Sequence, residues 1–476
     1  MNYLDVVLAA RARAAGRAVR SASVRHRHIA ARPLAMVFWQ LGAEPFTAAA
    51  VAWGHRPDRR SMAVPGEPRD RTLAFRALSR VAEEFNPWFE YGAAGEGDLP
   101  QVVLPNAGNL AMLGRLGRRL AYLPTTGEHA ASDELVRFGR HLQFLHEHAR
   151  YPGQQLVLVL TDLLRTHWAT ELSHLETQSL PALDAAIEPP AKKSGHEAAF
   201  AAERVEIGPA PGHDDDTVLS GLLDTFNAVR AKSTDESLVA PLRGPIEAHF
   251  SARIDRAWPL VWRCLDRERQ LLEGASVAER WKTDEAALGR HFSWAIASGR
   301  PLATKDSSRA AAWKLHSWEA AVAELEMNEA VDDPMRMIPA LMSGRAVRGK
   351  VIAVDLENRV QGATRRIRRP LVTLETDQPL TLPSDVELYW SGAAKTAAYQ
   401  IQEVLPSKKK GCTRLVLEHQ TQSNVPRPAS GSMATFSVYG RSPRPPLMLP
   451  DHDPWTHTAP ASSAKSDDIE TEGENP

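Results

Sequence analysis

The hydrophobic residues change their spacing near residue 341, and this change separates two kinds of fold along the chain. Between 131 and 340, apolar side chains recur at helical spacing, for example Leu135, Phe138 and Leu142. Between 341 and 440, apolar residues come in short runs separated by Gly, Pro, Ser and Asp. The runs that predict strands are 347–354, 370–375, 386–390, 398–404, 413–417 and 433–439. Short strands at this spacing predict a small β-barrel, either OB-like or SH3-like.

The residues before position 125 predict a mixed α/β unit. Apolar and β-branched runs indicate strands at 33–41, 46–54, 61–64, 101–104 and 119–123. A helix is predicted to begin at Asp70 as its N-cap, because Ala74, Leu78, Val81 and Phe85 follow at helical spacing. A second helix is predicted at 106–116. Three antiparallel strands followed by alternating helices and parallel strands are the layout of RNase H-like domains.

The chain is too long for one ordinary core, since it has 476 residues, so the sequence predicts an α+β multidomain protein. The linker and the tail are placed where Pro, Gly and charged residues replace the apolar pattern. The predicted parts are a basic helical arm (1–32), a mixed α/β, RNase H-like unit (33–125), a helical extension (126–187), a linker (188–216), a helical domain (217–340), a small basic β-barrel (341–440) and a disordered acidic tail (441–476).

Cysteine content and hydropathy predict a cytoplasmic protein that does not enter a membrane. The chain has two cysteines, Cys264 and Cys412, too few for a disulfide framework or a cysteine-based metal site. The N-terminus lacks the uninterrupted apolar stretch of a signal peptide. The longest apolar stretches are broken by Glu44 and Asp162, short of the roughly 20 residues that a membrane helix needs.

Motifs of the common enzyme classes are missing from the sequence. There is no GxxxxGK[ST], GxSxG or HExxH motif, no CxxC pair and no GxGxxG after a predicted strand. This argues against the motif-bearing enzymes, so we predict no catalytic residues, no metal site and no cofactor. Sites that assemble from distant residues stay open.

The predicted barrel is the strongest candidate for a binding surface. Residues 342–420 contain thirteen Arg and Lys against eight Asp and Glu. Arginine and lysine bind phosphates without reading sequence, so this surplus predicts contact with nucleic acid, with single strands favoured. The predicted nucleic-acid-binding residues are Arg345, Arg348, Lys350, Arg365, Arg366, Arg368, Arg369, Lys408, Lys409 and Lys410. The alternative is a solvated charged surface.

Aromatic residues and a second basic segment leave further alternatives open. Tyr389, Trp390 and Tyr399 are interpreted either as base-stacking residues or as barrel core. The tryptophans of the helical region are more typical of core packing, because they recur at helical spacing among Leu and Ile. The arginines of the N-terminal arm predict either contact with a polyanion or an exposed helix; they are Arg11, Arg13, Arg17, Arg20, Arg25 and Arg27.

Two metal-site hypotheses compete with a binding role. An RNase H-like nuclease holds two Mg²⁺ ions with an Asp in its first strand and further acids, but the predicted first strand has no acid. Glu44, Glu67 and Asp70 are the remaining candidates for metal ligands. The alternative is that Glu44 is a turn residue and Asp70 a helix cap. The second hypothesis is a metal site formed by histidines. Its candidates are His141, His146, His148, His167 and His174. The alternative is that these histidines are partly exposed helix residues without a metal.

Two resemblances accompany these patterns. The stretches RPLAMVFWQLGAEPFTAAAVAWG (32–54), PRDRTLAF (68–75) and HWATELSHLE (167–176) resemble a family of uncharacterised actinobacterial proteins over about residues 25–190. This resemblance implies no activity and no catalytic residues. The C-terminal module resembles the small β-barrels inserted in superfamily 1 helicases, although the helicase motor motifs are missing.

The sequence therefore predicts a non-catalytic, nucleic-acid-associated scaffold or accessory protein that works beside a helicase or nuclease. One alternative is a metal-dependent nuclease of RNase H-like fold. Another is a protein-interaction scaffold without nucleic-acid contact, in which the acidic tail recruits a partner or keeps the protein soluble.

Overall fold

A computed structural model of the protein describes residues 3–42, 44, 47–91, 98–127, 130–210, 212–233, 235–299, 305–362, 364–383, 385–393, 398–420, 426–440 and 447–449. The predicted disordered acidic tail at 441–476 lies outside the described residues, apart from 447–449.

The helices and strands are as follows. The helices are α1 (Tyr3–Ala15), α2 (Arg71–Tyr91), α3 (Ala107–Ala121), α4 (Asp133–His148), α5 (Leu160–His167), α6 (Leu180–Ile187), α7 (Gly195–Ala202), α8 (His213–Arg230), α9 (Glu236–Val239), α10 (Arg243–Arg269), α11 (Val277–Arg290), α12 (Ser308–Asp332) and α13 (Pro334–Met342). The strands are β1 (Val19–Arg20), β2 (Leu34–Gln40), β3 (Ala48–Arg56), β4 (Arg59–Ala63), β5 (Val102–Leu104), β6 (Val157–Val159), β7 (Trp168–Ala169), β8 (Ala346–Asp355), β9 (Arg359–Gln361), β10 (Arg366–Arg368), β11 (Leu371–Thr376), β12 (Glu387–Trp390), β13 (Ala398–Pro406), β14 (Thr413–His419) and β15 (Met433–Ser437).

The N-terminal half is organised by a five-stranded sheet in the order β4-β3-β2-β5-β6. β3 is antiparallel to β2 and β4, whereas β5 is parallel to β2 and β6 is parallel to β5. The central strand β2 is apolar over nearly its whole length, as expected for a strand covered on both faces. Its side chains alternate between two cores, Leu34, Met36 and Phe38 in one and Ala35, Val37 and Trp39 in the other.

Helices cover both faces of this sheet. The core that contains Phe38 includes residues of α2, α3 and α4, with Phe85 and Phe138 fully buried. The core that contains Trp39 includes residues of α5, α6, α8 and α10, with Trp258 of α10 buried. Helix α10 belongs to the predicted helical domain 217–340, so that region supplies one layer of the sandwich. Among the described helices, none combines the length and apolarity that a bilayer crossing needs.

The mixed α/β character of this region and its first helix are confirmed, but one predicted strand is wrong. Residues 119–123 belong to the end of α3 and the turn after it, because Leu113, Leu116 and Leu120 form a helical apolar face. Glycines bring α3 close to α4: a Cβ on Gly117 would lie 2.6 Å from the Gln143 amide nitrogen. The segment that follows the turn continues as α4, not as a strand.

The fifth strand of the sheet is β6, in a segment that helical spacing had predicted to be helix. β6 has three residues, too few to establish an alternating pattern. The Gln154 side chain bonds both backbone groups of Val157, with its amide 2.9 Å from the carbonyl oxygen and its oxygen 3.0 Å from the amide nitrogen. The edge of the sheet is thereby capped at this residue.

The predicted helical arm at 1–32 is helical only in α1. The residues after α1 pack against the rest of the protein: β1 pairs with β7, and Arg25 is 8% exposed. Arg25 donates to Glu273 at 2.7 Å and to the Leu271 carbonyl at 3.2 Å. The expectation of a free basic arm is therefore wrong for Arg25, which is satisfied inside the protein.

The C-terminal unit is a closed, antiparallel six-stranded barrel in the order β11-β14-β13-β12-β15-β8. Alternate side chains such as Val372, Leu374 and Leu417 are fully buried and form its core. All six predicted barrel strands are confirmed. The barrel has one strand more than the five-stranded OB-fold. A separate hairpin of β9 and β10, which was not among the predicted strands, extends between β8 and β11.

Candidate nucleic-acid interface

The predicted basic residues lie at two different ends of the barrel. Lys408, Lys409 and Lys410 occupy the turn between β13 and β14, beside the end of β11 at Thr376. The arginines at 365–369 precede the start of β11 at Leu371. β11 has six residues, which separate its ends by about 17 Å at about 3.3 Å per residue. The structure therefore separates the lysines at 408–410 from the arginines at 365–369.

The lysine end of the barrel includes a compensating acid. Lys350 lies opposite Glu375 across the β8–β11 pair, and both Arg414 and Ser407 contact the Glu375 carboxylate. The hydrogen bond from Ser407, together with Arg414 and Lys409, lowers the pKa of Glu375. Because this carboxylate is held in its charged form, it offsets part of the positive charge at this end.

The remaining predicted residues on β8 face outward. Arg348 and Lys350 are exposed and alternate with buried neighbours along the strand. Arg345, just before β8, is also exposed, and its guanidinium lies 5.0 Å from the centroid of the Tyr439 ring. These three bases are therefore available on the outer surface of the barrel.

The hairpin of β9 and β10, here called the arginine ribbon, gathers arginines on one face. Arg368 lies directly opposite Arg359, and Arg366 lies opposite Gln361. Cross-strand partners, and residues two apart in one strand, share a face, so these four side chains lie together. Val360 and Ile367 occupy the opposite face. Like charges directly opposite each other destabilise a strand pair. An acidic side chain or a bound anion beside these arginines would therefore stabilise the hairpin.

The arginines of the ribbon differ in how far they are neutralised. Arg368 pairs with Glu357 and donates from Nε to the Leu356 carbonyl at 2.5 Å. Arg359 and Arg366 are exposed, and among the described residues neither forms an ion pair with an acid. Arg365 lies in the turn, where its carbonyl oxygen accepts from the Gly362 amide at 3.0 Å.

Arg359 was missed by sequence reasoning, whereas its three neighbours were predicted. The signal was present: residues 359–368 read RVQGATRRIR, in which basic and apolar residues alternate on both sides of Gly362. Alternation on both sides of a glycine turn predicts a hairpin with a charged face and an apolar face. Arg369 stands at the base of the ribbon, where its amide donates to the Asn358 carbonyl at 2.9 Å.

The three aromatic residues of the barrel have different surroundings. Tyr399 is fully buried, and its ring packs 5.0 Å from Phe436 and 4.9 Å from His419. The stacking hypothesis is therefore wrong for Tyr399, which belongs to the core. Tyr389 donates from its hydroxyl to Glu387 at 2.8 Å. Trp390 is partly exposed and lines a groove beside α13.

The carboxylates of the nuclease hypothesis are engaged by protein groups. Glu44 pairs with Arg69 at 2.6 Å, and Glu67 accepts from the Arg69 amide at 2.9 Å and from Asn227. Asp70 caps α2 by accepting from Leu73 and pairs with Arg230 at 2.6 Å. Burial alone would raise the pKa of Asp70, but these contacts outweigh it and lower the pKa. The three acids thus form ion pairs with the protein's own arginines, Arg69 and Arg230.

The histidines of the second metal hypothesis each have their own partner. His141 bonds Glu90 at 2.8 Å, His148 bonds Asp284 at 2.7 Å, and His167 lies 2.5 Å from Glu268. His174 accepts from Arg165 at 3.0 Å, and His146 lies 3.7 Å from Glu147. Within the described ranges, no group of three or more His, Cys, Asp or Glu residues could hold a metal ion.

The predicted linker at 188–216 contains α7 and a loop that covers the carboxyl ends of β2 and β5. The Pro209 carbonyl accepts from the Gln40 amide at 2.8 Å, and the Gly208 carbonyl accepts from Asn106 at 2.9 Å. Ligands of open α/β sheets bind beyond the carboxyl ends of the strands. At the carboxyl ends of β2 and β5, the backbone of Gly208 and Pro209 occupies the place where such a ligand would bind.

Replacing Gly208 with alanine tests this loop. We expect the free energy of unfolding to fall by about 2–3 kcal/mol, because Gly208 has a φ of 69° and an added Cβ would overlap the Phe38 carbonyl oxygen. Gly127→Ala is the matched control: its φ is 95°, nothing lies within 4 Å of an added Cβ, and a loss of about 1 kcal/mol is expected. Urea unfolding measures both; equal losses would mean that the loop does not press on β2.

Comparison of the chain with protein-family models, curated proteins and solved structures found no match.

Proposed function

We propose that this protein is a non-catalytic, nucleic-acid-associated accessory protein whose arginine ribbon binds the sugar–phosphate backbone. The observation that carries the proposal is the placement of Arg359, Arg366 and Arg368 on one face of a two-stranded ribbon, with two of them directly opposed. Glu357 neutralises Arg368, whereas Arg359 and Arg366 form no ion pair among the described residues, so a bound anion would offset the positive charge of these two.

The chemistry of the ribbon fits a polyanion better than a single small anion. Each guanidinium offers a planar pair of N–H donors that matches two phosphate oxygens. Arg366 and Arg368 are two residues apart, so their Cα atoms are separated by about 7 Å along the strand. Successive phosphates of one nucleic-acid strand supply several anions in a row. Backbone contact of this kind is independent of sequence and sensitive to salt.

The proposal includes a degenerate RNase H-like domain in the N-terminal half. It is supported by three antiparallel strands followed by two parallel ones around β2. It is non-catalytic because β2 contains no acid and the 206–210 loop fills the carboxyl ends of β2 and β5. The candidate acids are held by Arg69 and Arg230. We therefore propose that any cleavage or unwinding is performed by a separate nuclease or helicase.

The test reverses the charge of two arginines in the ribbon. Arg359→Glu with Arg366→Glu should weaken binding of a fluorescein-labelled 20-nucleotide single strand by about tenfold or more, because two phosphate contacts are lost. The slope of log affinity against log salt should become shallower by about 1.4, at about 0.7 for each phosphate contact with a single strand. Fluorescence anisotropy between 50 and 300 mM salt measures both quantities, with a duplex of the same sequence alongside.

Two matched variants make the result specific. Arg359→Lys with Arg366→Lys keeps the charge but loses the paired N–H donors, so its affinity should lie between those of the wild type and the Arg→Glu double variant. Lys408→Glu with Lys410→Glu makes the same charge change at the other end of the barrel and should weaken binding less, because Glu375 already compensates that end. Unchanged affinity and salt slope in the Arg→Glu double variant would remove the ribbon from the interface. The absence of any binding by the wild type would favour the protein-interaction scaffold.

A further inference from the structure

A groove of about 260 Å³ separates the barrel from the helices that precede it. Its helical wall consists of apolar side chains of α12 and α13, among them Val331, Met337 and Leu341. Its barrel wall includes Trp390 and Met433. The two walls meet at a small apolar cluster that contains Met337 and joins α13 to the start of β8, so the groove is built on packed elements.

Among the described residues that line the groove, polar side chains lie on the barrel side only. Arg348 lines it from β8, with an exposed side chain and a backbone amide that donates to Gln378 at 2.9 Å. Ser391 and Thr435 line it from the barrel, and Thr435 is the cross-strand partner of Arg348. Ser391 donates to the Thr435 carbonyl from its amide at 3.0 Å and from its hydroxyl at 3.2 Å. The groove is therefore apolar on one side and cationic at one rim.

We propose that this groove binds one unpaired base of a single-stranded nucleic acid, with the adjoining phosphate on Arg348; the inference rests on the proposed function. A flat base has two apolar faces and a polar edge, and its phosphate is an anion beside it. The groove offers the matching set: an indole, aliphatic side chains, two hydroxyl groups and a guanidinium. Stacking on an aromatic side chain accepts any base, so the groove would add affinity without reading sequence.

The position of the groove suits a strand that also reaches the arginine ribbon. Arg348 lies near the start of β8, and the ribbon begins after its end at Asp355. Seven residue steps separate Arg348 from Asp355, so the two sites lie about 23 Å apart along the strand direction. Single-strand sites on small barrels span about 4–16 nucleotides, which covers this distance. Lys350, exposed on the same strand, lies between the two sites.

The experiment compares a labelled 20-nucleotide oligothymidylate with an abasic strand of the same length and the same number of phosphates. If the groove stacks a base, the wild-type protein should bind the oligothymidylate about tenfold more tightly than the abasic strand. Trp390→Ala should bind the two strands equally and keep the wild-type salt slope, since the phosphate contacts remain. Trp313→Ala is the control: this tryptophan is 50% exposed on α12 and distant in sequence from the groove-lining residues, so the preference should persist.

A second variant protects the test against misfolding, because Trp390 also packs on the barrel core. Val331→Phe fills the groove from the helical wall and leaves the barrel unchanged; it should also abolish the preference. A preference that survives in both variants, or equal wild-type binding of the two strands, overturns the base-binding groove. In that case the ribbon proposal still stands if Arg359→Glu with Arg366→Glu weakens binding. Failure of the wild type to bind either strand overturns both.

Discussion

Replacing Asp333 with alanine should lower the free energy of unfolding by about 3–5 kcal/mol, because it removes a fully buried carboxylate whose partners include the buried His26. Asp333 is fully buried and accepts from the Ser23 amide at 2.8 Å and the Ser23 hydroxyl at 2.6 Å. Its Oδ2 lies 3.2 Å from His26 Nε2, and its Oδ1 accepts from the Met335 amide at 2.9 Å as the N-cap of α13. One carboxylate thus joins the N-terminal segment to α13.

The same carboxylate is held in its charged form. Burial alone would raise the pKa of Asp333, but the hydrogen bonds from His26 and Ser23 outweigh it and hold the pKa far below its ordinary value. Asp333→Asn keeps an oxygen that can accept from Ser23 or Met335, so its loss of stability should be smaller than that of the alanine variant. Chemical denaturation at pH 7 measures both variants. Equal losses would show that the retained oxygen contributes nothing and that the charge accounts for the whole effect.

The second large effect is a loss of stability between pH 7 and pH 5. His291 is buried beside His141, with 2.9 Å between Nε2 and Nδ1, and its ring stacks on Phe144 at 4.2 Å. Burial and the neighbouring His141 lower the pKa of His291 to about 3. Burial also lowers the pKa of His141, against the opposing effect of Glu90. The His291 ring is therefore neutral in the folded protein at pH 5.

The direction of the pH effect follows from proton uptake. Below about pH 6.5 the unfolded chain binds a proton at the His291 imidazole, and the folded chain does not until the pH approaches 3. The stability contributed by His291 is therefore complete above pH 6.5 and falls as the pH drops toward 3, by about 1.4 kcal/mol for each pH unit. Between pH 7 and pH 5 this histidine alone should account for a loss of about 2 kcal/mol.

The comparison of wild type with His291→Gln isolates this contribution. Glutamine does not titrate and can still bond His141, so the variant should lose less stability between pH 7 and pH 5 than the wild type. His28 opposes the trend: burial lowers its pKa, but Glu273 and Asp98 outweigh burial and raise it. Urea midpoints at the two pH values provide the measurement. Parallel pH curves for the two proteins would place the titrating group elsewhere.

The parts of the fold that were predictable are those with a repeating local pattern. The six barrel strands alternate between buried and exposed side chains, and β2 and β3 are long apolar runs. β6 was missed because it is fixed by hydrogen bonds to Gln154 and by pairing with β5. Neither contact produces a repeating pattern of apolar residues in the sequence. The packing of α10 on the sheet is likewise a long-range property, since an amphipathic helix does not specify which surface it covers.

The candidate site was predicted in composition but not in geometry. The excess of Arg and Lys identified the barrel, yet charge counts cannot separate the lysine turn from the ribbon or show that Glu375 compensates one of them. Arg25 was interpreted as part of a free arm, because its partner Glu273 is distant in sequence. The groove beside Trp390 forms because α12 and α13 pack next to the barrel. The spacing of apolar residues within a helix or a strand does not predict which other element it contacts.

The clamp at Asp333 has a consequence for the time course of synthesis. Ser23 and Asp333 are 310 residues apart, so the partner of Ser23 and His26 is made long after they leave the ribosome. At about 5–20 residues per second the wait is roughly 15–60 s. During that interval the N-terminal segment of the nascent chain lacks its native partner Asp333. The helical layer that α10 supplies to the sheet is also missing until residue 269 has emerged from the ribosome. The amino-terminal half therefore cannot complete its fold as an early, independent unit; it is closed by residues that arrive last before the barrel.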